Sequence, residues 1–149
     1  MLASECMSKK VVLGKPDMTL QEAAKKMREG DFGLLPIAEN DRLVGMLTDR
    51  DIAVRAVAEG KDPREALARD YMSHSVFYCF DDDTIEDVLS KFSEQQIRRL
   101  PVLNRQKRLV GILSLGDVAR TDPPAEKLEE TLSQVSSKTN EGRSGMQLR

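Results

Sequence analysis

A chain of 149 residues with 23 Lys and Arg against 25 Asp and Glu has a formal charge of −2 at pH 7, so it lacks the basic excess that binding to a phosphate backbone needs, and nucleic acid is excluded as an expected partner. Its apolar residues never gather into the roughly 20-residue run of a membrane span or into a signal-peptide core, which leaves no membrane partner and a cytoplasmic protein as the expectation. With 2 Cys and 1 His the chain cannot complete a four-ligand zinc site from thiols and imidazole, and Cys6 and Cys79 are expected to be small buried hydrophobes rather than a bridge.

Along the chain, Val11-Val12-Leu13 reads as a short strand. Thr19-Leu20-Gln21-Glu22 has the spacing of a capping box. Leu20, Ala23, Ala24 and Met27 follow at i, i+3, i+4, i+7, one face of a short helix that stops near Gly30. Leu34-Leu35-Pro36-Ile37, the polar turn Glu39-Asn40-Asp41 and the apolar run from Leu43 to Leu47 then form strand, turn and strand, with hairpin dimensions. A second helix runs from Asp49 to about Glu59. Lys61 to Ala68 reads as a capped short helix, with Asp62 as N-cap and Pro63 at the first helical position.

The series then begins again. Met7-Ser8 recurs as Met72-Ser73, Thr19 as Thr84 and Leu35-Pro36 as Leu100-Pro101, each 65 places on. With one residue added in the turn, Arg42-Leu43-Val44-Gly45 recurs as Arg108-Leu109-Val110-Gly111, and Asp51 as Asp117. Val76-Phe77-Tyr78 repeats the first strand. Thr84-Ile85-Glu86-Asp87 repeats the helix start, with Ile85, Val88, Leu89 and Phe92 as its stripe and Asp82 and Asp83 placing negative charge where the helix dipole is positive. Leu100 to Leu103, the turn Asn104 to Lys107, Leu109 to Leu113 and a helix from Leu115 to about Arg120 complete the copy.

Each copy is thus β-α-β-β-α, an α+β fold in two pseudo-symmetric repeats. A unit of about 60 residues buries only a marginal core, so the pair is the expected folding unit. The expected division is a first repeat over 5–60, a helical connector over 61–70, a second repeat over 71–120 and a C-terminal segment over 121–149. In that last segment the helical spacing of Leu128, Leu132 and Val135 predicts a short docking helix, and from Ser136 the composition predicts a frayed end.

Chemistry concentrates at the entrance to each second helix, Gly45-Met46-Leu47-Thr48-Asp49-Arg50-Asp51 and Gly111-Ile112-Leu113-Ser114-Leu115-Gly116-Asp117. A hydroxyl three residues before a carboxylate has two readings at a strand-to-helix junction. One is an Asp variant of the capping box. The other is a ligand site, in which the carboxylate accepts hydrogen bonds from two ribose hydroxyls while the hydroxyl and helix start suit a phosphate.

The doubled unit, the Leu-Pro strand, the Gly after Leu-Val and the Thr/Ser-x-x-Asp ending together resemble the CBS domain, and two in tandem resemble the CBS-pair, or Bateman, module over about residues 5 to 120. The resemblance implies repeats packed through their sheets about a pseudo-twofold axis, with two clefts for adenosyl ligands such as AMP, ADP, ATP, NAD or S-adenosylmethionine, and modules paired as a homodimer. It places Asp51 and Asp117 on ribose hydroxyls and Thr48 and Ser114 toward phosphate or ribose. Ser8-Lys9-Lys10-Val11 and Ser73-His74-Ser75-Val76, with backbone around Leu35-Pro36 and Leu100-Pro101, would line the adenine pockets.

The copies differ where a phosphate would be felt. Arg50 in the first is Gly116 in the second, whereas Gly33 and Leu34 correspond to Arg98 and Arg99. With clefts that draw on both copies, Arg50 would share a phosphate with Arg98 or Arg99 in one cleft and leave the other poorer in cations, so unequal sites are expected. For Arg98 and Arg99 a surface ion pair is the competing reading, and for Lys9 and Lys10 a plain solvated lysine. No nucleophile-base pair, Walker-type loop or pair of metal-binding histidines is found, so no catalytic role or catalytic cofactor is expected. Two functions remain: a stand-alone regulatory module that binds an adenosyl ligand and signals to a partner protein, or a ligand-independent dimeric interaction scaffold.

Overall fold

The computed structural model describes residues 1–137. At the first helix start, Thr19 Oγ1 accepts from Glu22 N at 3.1 Å and Glu22 Oε1 accepts from Thr19 N at 3.3 Å, so a capping box opens α2, Leu20–Gly30. Thr84 Oγ1 accepts from Asp87 N at 3.2 Å at the start of α4, Ile85–Gln95. The buried faces are Leu20, Ala23 and Met27 in α2 and Ile85, Val88, Leu89 and Phe92 in α4. Ala24, placed in the first stripe by spacing, is exposed, because the face α2 packs is narrower than the stripe.

Each helix leads into an antiparallel hairpin. β1, Leu34–Glu39, pairs with β2, Arg42–Thr48, and Leu35 lies opposite Leu47. β4, Arg99–Leu103, pairs with β5, Leu109–Ser114, and Leu100 lies opposite Leu113. Both hairpins shift register at equivalent positions, Ile37/Ala38 and Val102/Leu103. Positive φ at Asn40 (54°) and Asp41 (63°) makes the first turn tight and matched to the strand twist.

The strands expected over Val11–Leu13 and Val76–Tyr78 are not there. The chain meets β1 in parallel only at Gly14, whose N donates to Pro36 O at 2.9 Å and whose O accepts from Ala38 N at 3.0 Å. In the second copy β3 is Cys79–Phe80, parallel to β4 with Cys79 opposite Val102. Extending either ladder toward the N-terminus would require a hydrogen from Pro36 N or Pro101 N, and proline has none. The Leu-Pro pair that marks each copy therefore also cuts its parallel strand short.

The short helix expected over Lys61–Ala68 is a single turn at 63–65. Asp62 Oδ1 accepts from Arg64 N at 2.9 Å, as an N-cap would, but the turn does not propagate, because Gln21 N donates to Pro63 O at 3.0 Å, Ala68 N donates to Met18 O at 2.9 Å and Leu67 bridges Thr19. Where the second helix of the first copy was expected, the chain turns into a π-helix, Asp51–Val57. Its counterpart α5, Leu115–Ala119, is a short α-helix.

Covalent order and packing order differ. The short helix α1, Ala3–Cys6, precedes the first copy, yet Leu2 bridges Thr84, Ala3 N donates to Asp83 O at 2.8 Å, and Ser8 and Ile112 exchange hydrogen bonds of 2.8 and 3.0 Å. Its repeat equivalent α3, Ala68–Tyr71, precedes the second copy, yet Ala68 N donates to Met18 O at 2.9 Å, and Ser73 and Met46 exchange hydrogen bonds of 2.8 and 3.0 Å. Two compact units result, one built from residues 1–11 and the described chain from Phe77 onward, the other from residues 12–76. In the second of these Ala68, Tyr71 and Met72 complete a core with Leu20, Leu35, Ile37 and Leu47.

The helix α6, Ala125–Ser137, packs on α4 of its own unit, with Thr131 at 0% and Val135 at 1% relative exposure. Most of the expected frayed end, from residue 138 on, lies outside the described residues.

Both cysteines are free thiols. Cys79, in the edge strand β3, is fully buried, and burial, followed by the negative charge of Asp83, pushes its thiol up to about 12. Cys6 is half-buried, and its thiol is raised less far, again mainly by burial. At pH 8, iodoacetamide is expected to label Cys6 slowly and Cys79 only after denaturant is added, because the thiolate is the nucleophile. Peptide mass mapping checks this, and equal native labelling of both would contradict it.

Candidate functional site

At the first junction Thr48 Oγ1 accepts from Asp51 N and Asp51 Oδ2 accepts from Thr48 N, both at 3.0 Å. Asp51 is fully buried and Thr48 is 2% exposed. The other carboxylate oxygen, Oδ1, faces Arg55 across 3.8 Å. Arg55 also donates to Tyr71 O at 2.8 Å and lies over the Tyr71 ring at 5.4 Å, while Tyr71 OH donates to Glu59 Oε1 at 3.1 Å. Burial, then the Glu59 hydrogen bond, raises the Tyr71 phenol above its usual range. Asp51 is thus held within a network that ties the π-helix to α3.

The second junction repeats the box with a looser outer partner. Ser114 Oγ accepts from Asp117 N at 3.0 Å and Asp117 Oδ2 accepts from Ser114 N at 2.9 Å. Asp117 Oδ1 pairs with Arg120, a side chain that is 73% exposed, and the Asp117 side chain keeps 21% of its own exposure. Helix capping is therefore realised at both junctions. It uses one oxygen of each carboxylate, and the other meets a guanidinium.

The flanking residues diverge in charge. In the unit with Asp117, Leu115 N donates to Arg98 O at 2.9 Å, and a groove of about 460 Å³ opens beside the junction. Arg98, Arg99, Ser114 and Leu115 line one side, and Leu132 and Val135 of α6 line the other. At the equivalent place in the other unit, Asp49 N donates to Gly33 O at 2.9 Å. The Asp49 carboxylate lies 2.7 Å from where a Cβ on Gly33 would sit, and its Oδ1 accepts from Arg50 N at 2.8 Å. An anion would thus meet two arginines in one unit and a carboxylate in the other.

The remaining expected residues divide between the units. Lys9, Val11, Leu100 and Pro101 fall in the unit with Ser114, Asp117, Arg98 and Arg99. Leu35, Pro36, Ser73, His74 and Val76 fall in the unit with Thr48, Arg50 and Asp51. Leu35 and Leu100 are fully buried in their cores, so only their backbone could face a ligand. Ser73 is 3% exposed and its hydroxyl donates to Ser75 O at 3.1 Å, whereas Lys9, Arg50 and His74 are exposed. A second cavity, about 430 Å³, is lined by Lys15, Asp17, Glu22 and Lys26 among others and touches none of the expected residues.

Arg55 and Asp49 were missed from the sequence, and the helix expected from Leu128, Leu132 and Val135 was foreseen as α6 but not its place beside a junction. Arg55 was legible as an Asp-x-x-x-Arg spacing on one helical face. Asp49 and α6 gave no local sign of lying beside the junctions. Among the described residues no group of three or more His, Cys, Asp or Glu is placed to hold a metal ion, and no helix is long and apolar enough to cross a membrane.

A family model of the CBS domain matches residues 3–57 and 68–123. Hypoxic response protein 1 of Mycobacterium tuberculosis is 45% identical over 106 residues, which is 70% of this chain and 73% of that protein. A crystal structure of Hypoxic Response Protein I with two coordinated zinc ions superposes with a TM-score of 0.74 at 40% identity, covering 83% of this chain and 100% of that one. The CBS domain pair of protein MJ0100, in complex with 5′-methylthioadenosine and S-adenosyl-L-methionine, gives a TM-score of 0.72 at 28% identity, covering 82% of this chain and 95% of that one.

Proposed function

This chain belongs to the CBS-domain family and carries the domain twice, and from that premise we propose that it is a regulatory module that binds an adenosyl ligand and passes its occupancy to a partner protein. The observation that carries this reading is the paired junction: a hydroxyl and a carboxylate locked by reciprocal hydrogen bonds at the end of a hairpin strand, built the same way in both units. Such a box holds a carboxylate at a fixed place and angle, which is what recognition of two adjacent ribose hydroxyls needs. The MJ0100 domain pair, similar in fold and sequence, is seen with two adenosyl compounds. Asp117, whose side chain keeps 21% of its exposure, is the proposed ribose anchor with Ser114 beside it, and Asp51 and Thr48, buried as they stand, are proposed as its equivalents only where a ligand uncovers them.

The sites are proposed to be unequal. Arg98 and Arg99 favour an anionic 5′ substituent such as a phosphate in the unit with Asp117, whereas Asp49 disfavours one in the other unit, leaving Arg50 to offset it. No catalytic cofactor is proposed, and zinc has no part in the proposal. Homodimerisation is also proposed, with Val54 and Val57 of the π-helix, 47% and 58% exposed and three residues apart, as apolar surface for it. Sedimentation equilibrium tests that part.

Thermal unfolding with AMP, ATP, NAD, S-adenosylmethionine and 5′-methylthioadenosine tests the ligand reading. A ligand that binds only the folded state at 100 times its Kd adds about 2.7 kcal/mol of stability. At least one compound is expected to raise Tm, and Arg99→Ala is expected to weaken the response to AMP more than to 5′-methylthioadenosine. No shift with any of them would leave the interaction scaffold as the better reading.

A further inference from the structure

We propose that α6 is a movable wall of the groove beside Asp117 and that a phosphate held by Arg98 and Arg99 tightens its docking, which makes the C-terminal helix the segment that reports ligand. This inference rests on the ligand reading above and adds its output.

Three observations on one unit support it. The groove is lined by cationic and polar groups at the β4 and β5 ends, Arg98, Arg99 and Ser114, and by α6, which supplies the apolar Leu132 and Val135 together with Ser136. The helix α6 is seated on α4 through Thr131 and Val135, both buried, with Ser93 Oγ donating to Thr131 Oγ1 at 3.1 Å, Thr131 Oγ1 to Leu89 O at 3.5 Å and Gln96 Nε2 to Gln134 O at 3.3 Å, so that a ligand touching α6 acts on one defined seat. Leu132, one turn before Ser136 on the groove side, keeps 44% of its surface in solvent although it borders a concave site.

A ligand in the groove covers Leu132 only while α6 is docked. It therefore binds the docked state more tightly than the undocked one, and by linkage it stabilises docking. In the proposed pose the nucleoside sits at the Ser114 end of the groove and a 5′-phosphate reaches Arg98 and Arg99, in the same groove that α6 lines. The helix belongs to one unit only, so the response is confined to the site with the arginines.

Amide hydrogen exchange over residues 125–137, with AMP and with 5′-methylthioadenosine at saturation, tests the coupling. AMP is expected to slow exchange of this segment by about tenfold and 5′-methylthioadenosine to leave it unchanged. Leu132→Glu brings a carboxylate to the groove from a side chain that is already exposed. It is expected to weaken AMP by about tenfold or more while 5′-methylthioadenosine stays within about twofold.

Unchanged exchange in α6 under saturating AMP, or an equal loss for both compounds in Leu132→Glu, overturns the wall while leaving ligand binding intact. Failure of calorimetry to detect either compound on the wild-type chain overturns both proposals together.

Discussion

Asp51→Ala is expected to cost about 2–3 kcal/mol of folding stability and Asp117→Ala only about 1 kcal/mol, although the two residues occupy the same place in the repeat. Each substitution removes a cap that satisfies a backbone N–H at the helix start. At Asp51 the loss goes further, because the carboxylate is fully buried and its second oxygen faces Arg55, whose side chain is 30% exposed. The guanidinium would be left with Tyr71 O and the Tyr71 ring as its remaining partners in a partly desolvated place. At Asp117 the outer partner is Arg120, which turns to water at little cost when the carboxylate is removed. Urea unfolding of the two single variants measures the difference. Equal losses would mean that the Arg55 network adds nothing to the cap.

The same contrast has a consequence for function. Diminished ligand binding in Asp51→Ala has to be separated from diminished folding, whereas Asp117→Ala reports on ribose recognition with much less structural disturbance. Asp117 is therefore the better position at which to test the anchor.

Gly45→Val is expected to cost about 3 kcal/mol, and Gly111→Val a similar amount in the other unit. A Cβ on Gly45 would lie 2.8 Å from Ser73 O and 2.6 Å from Met72 Sδ; on Gly111 it would lie 2.9 Å from Ser8 O. The methionine could move aside, but the carbonyls belong to backbone that is hydrogen-bonded to Met46 and Ile112, so the added group forces the bridge apart. Residues 68–73 or 2–8 would then lose their seat on the hairpin. Gly116→Ala is the control, since its nearest neighbours stand at 3.7 Å. Thermal unfolding that ranks Gly116→Ala beside Gly45→Val would contradict the close approach.

Much of this was legible in the residues. The capping boxes at Thr19 and at the two junctions, the stripes of α2 and α4 and the paired hairpins all depend on interactions between positions a few residues apart, and such interactions repeat whenever their residues repeat. The limits are as specific. Val11 to Leu13 has strand composition, but the hydrogen that would hold it belongs to Pro36, 23 or more places away and absent from that residue. Asp62 and Pro63 start a helical turn as they should, and longer-range bonds from Gln21 N to Pro63 O and from Ala68 N to Met18 O stop it.

The amino-acid order alone determined that there are two copies, what each is made of and where its hydroxyl and carboxylate stand, because those features are written in short-range spacing. Tertiary structure alone decided that residues 1–11 pack with the later copy and 68–73 with the earlier one. Met7-Ser8 and Met72-Ser73 are the same pair of residues facing the same kind of glycine, so no local preference distinguishes their two seats. It likewise decided that Asp51 is buried against Arg55 while Asp117 stays within reach of solvent, and that one groove gains a helical wall. Burial and charge at a site are sums over everything that packs around it, and most of those neighbours are distant in the chain.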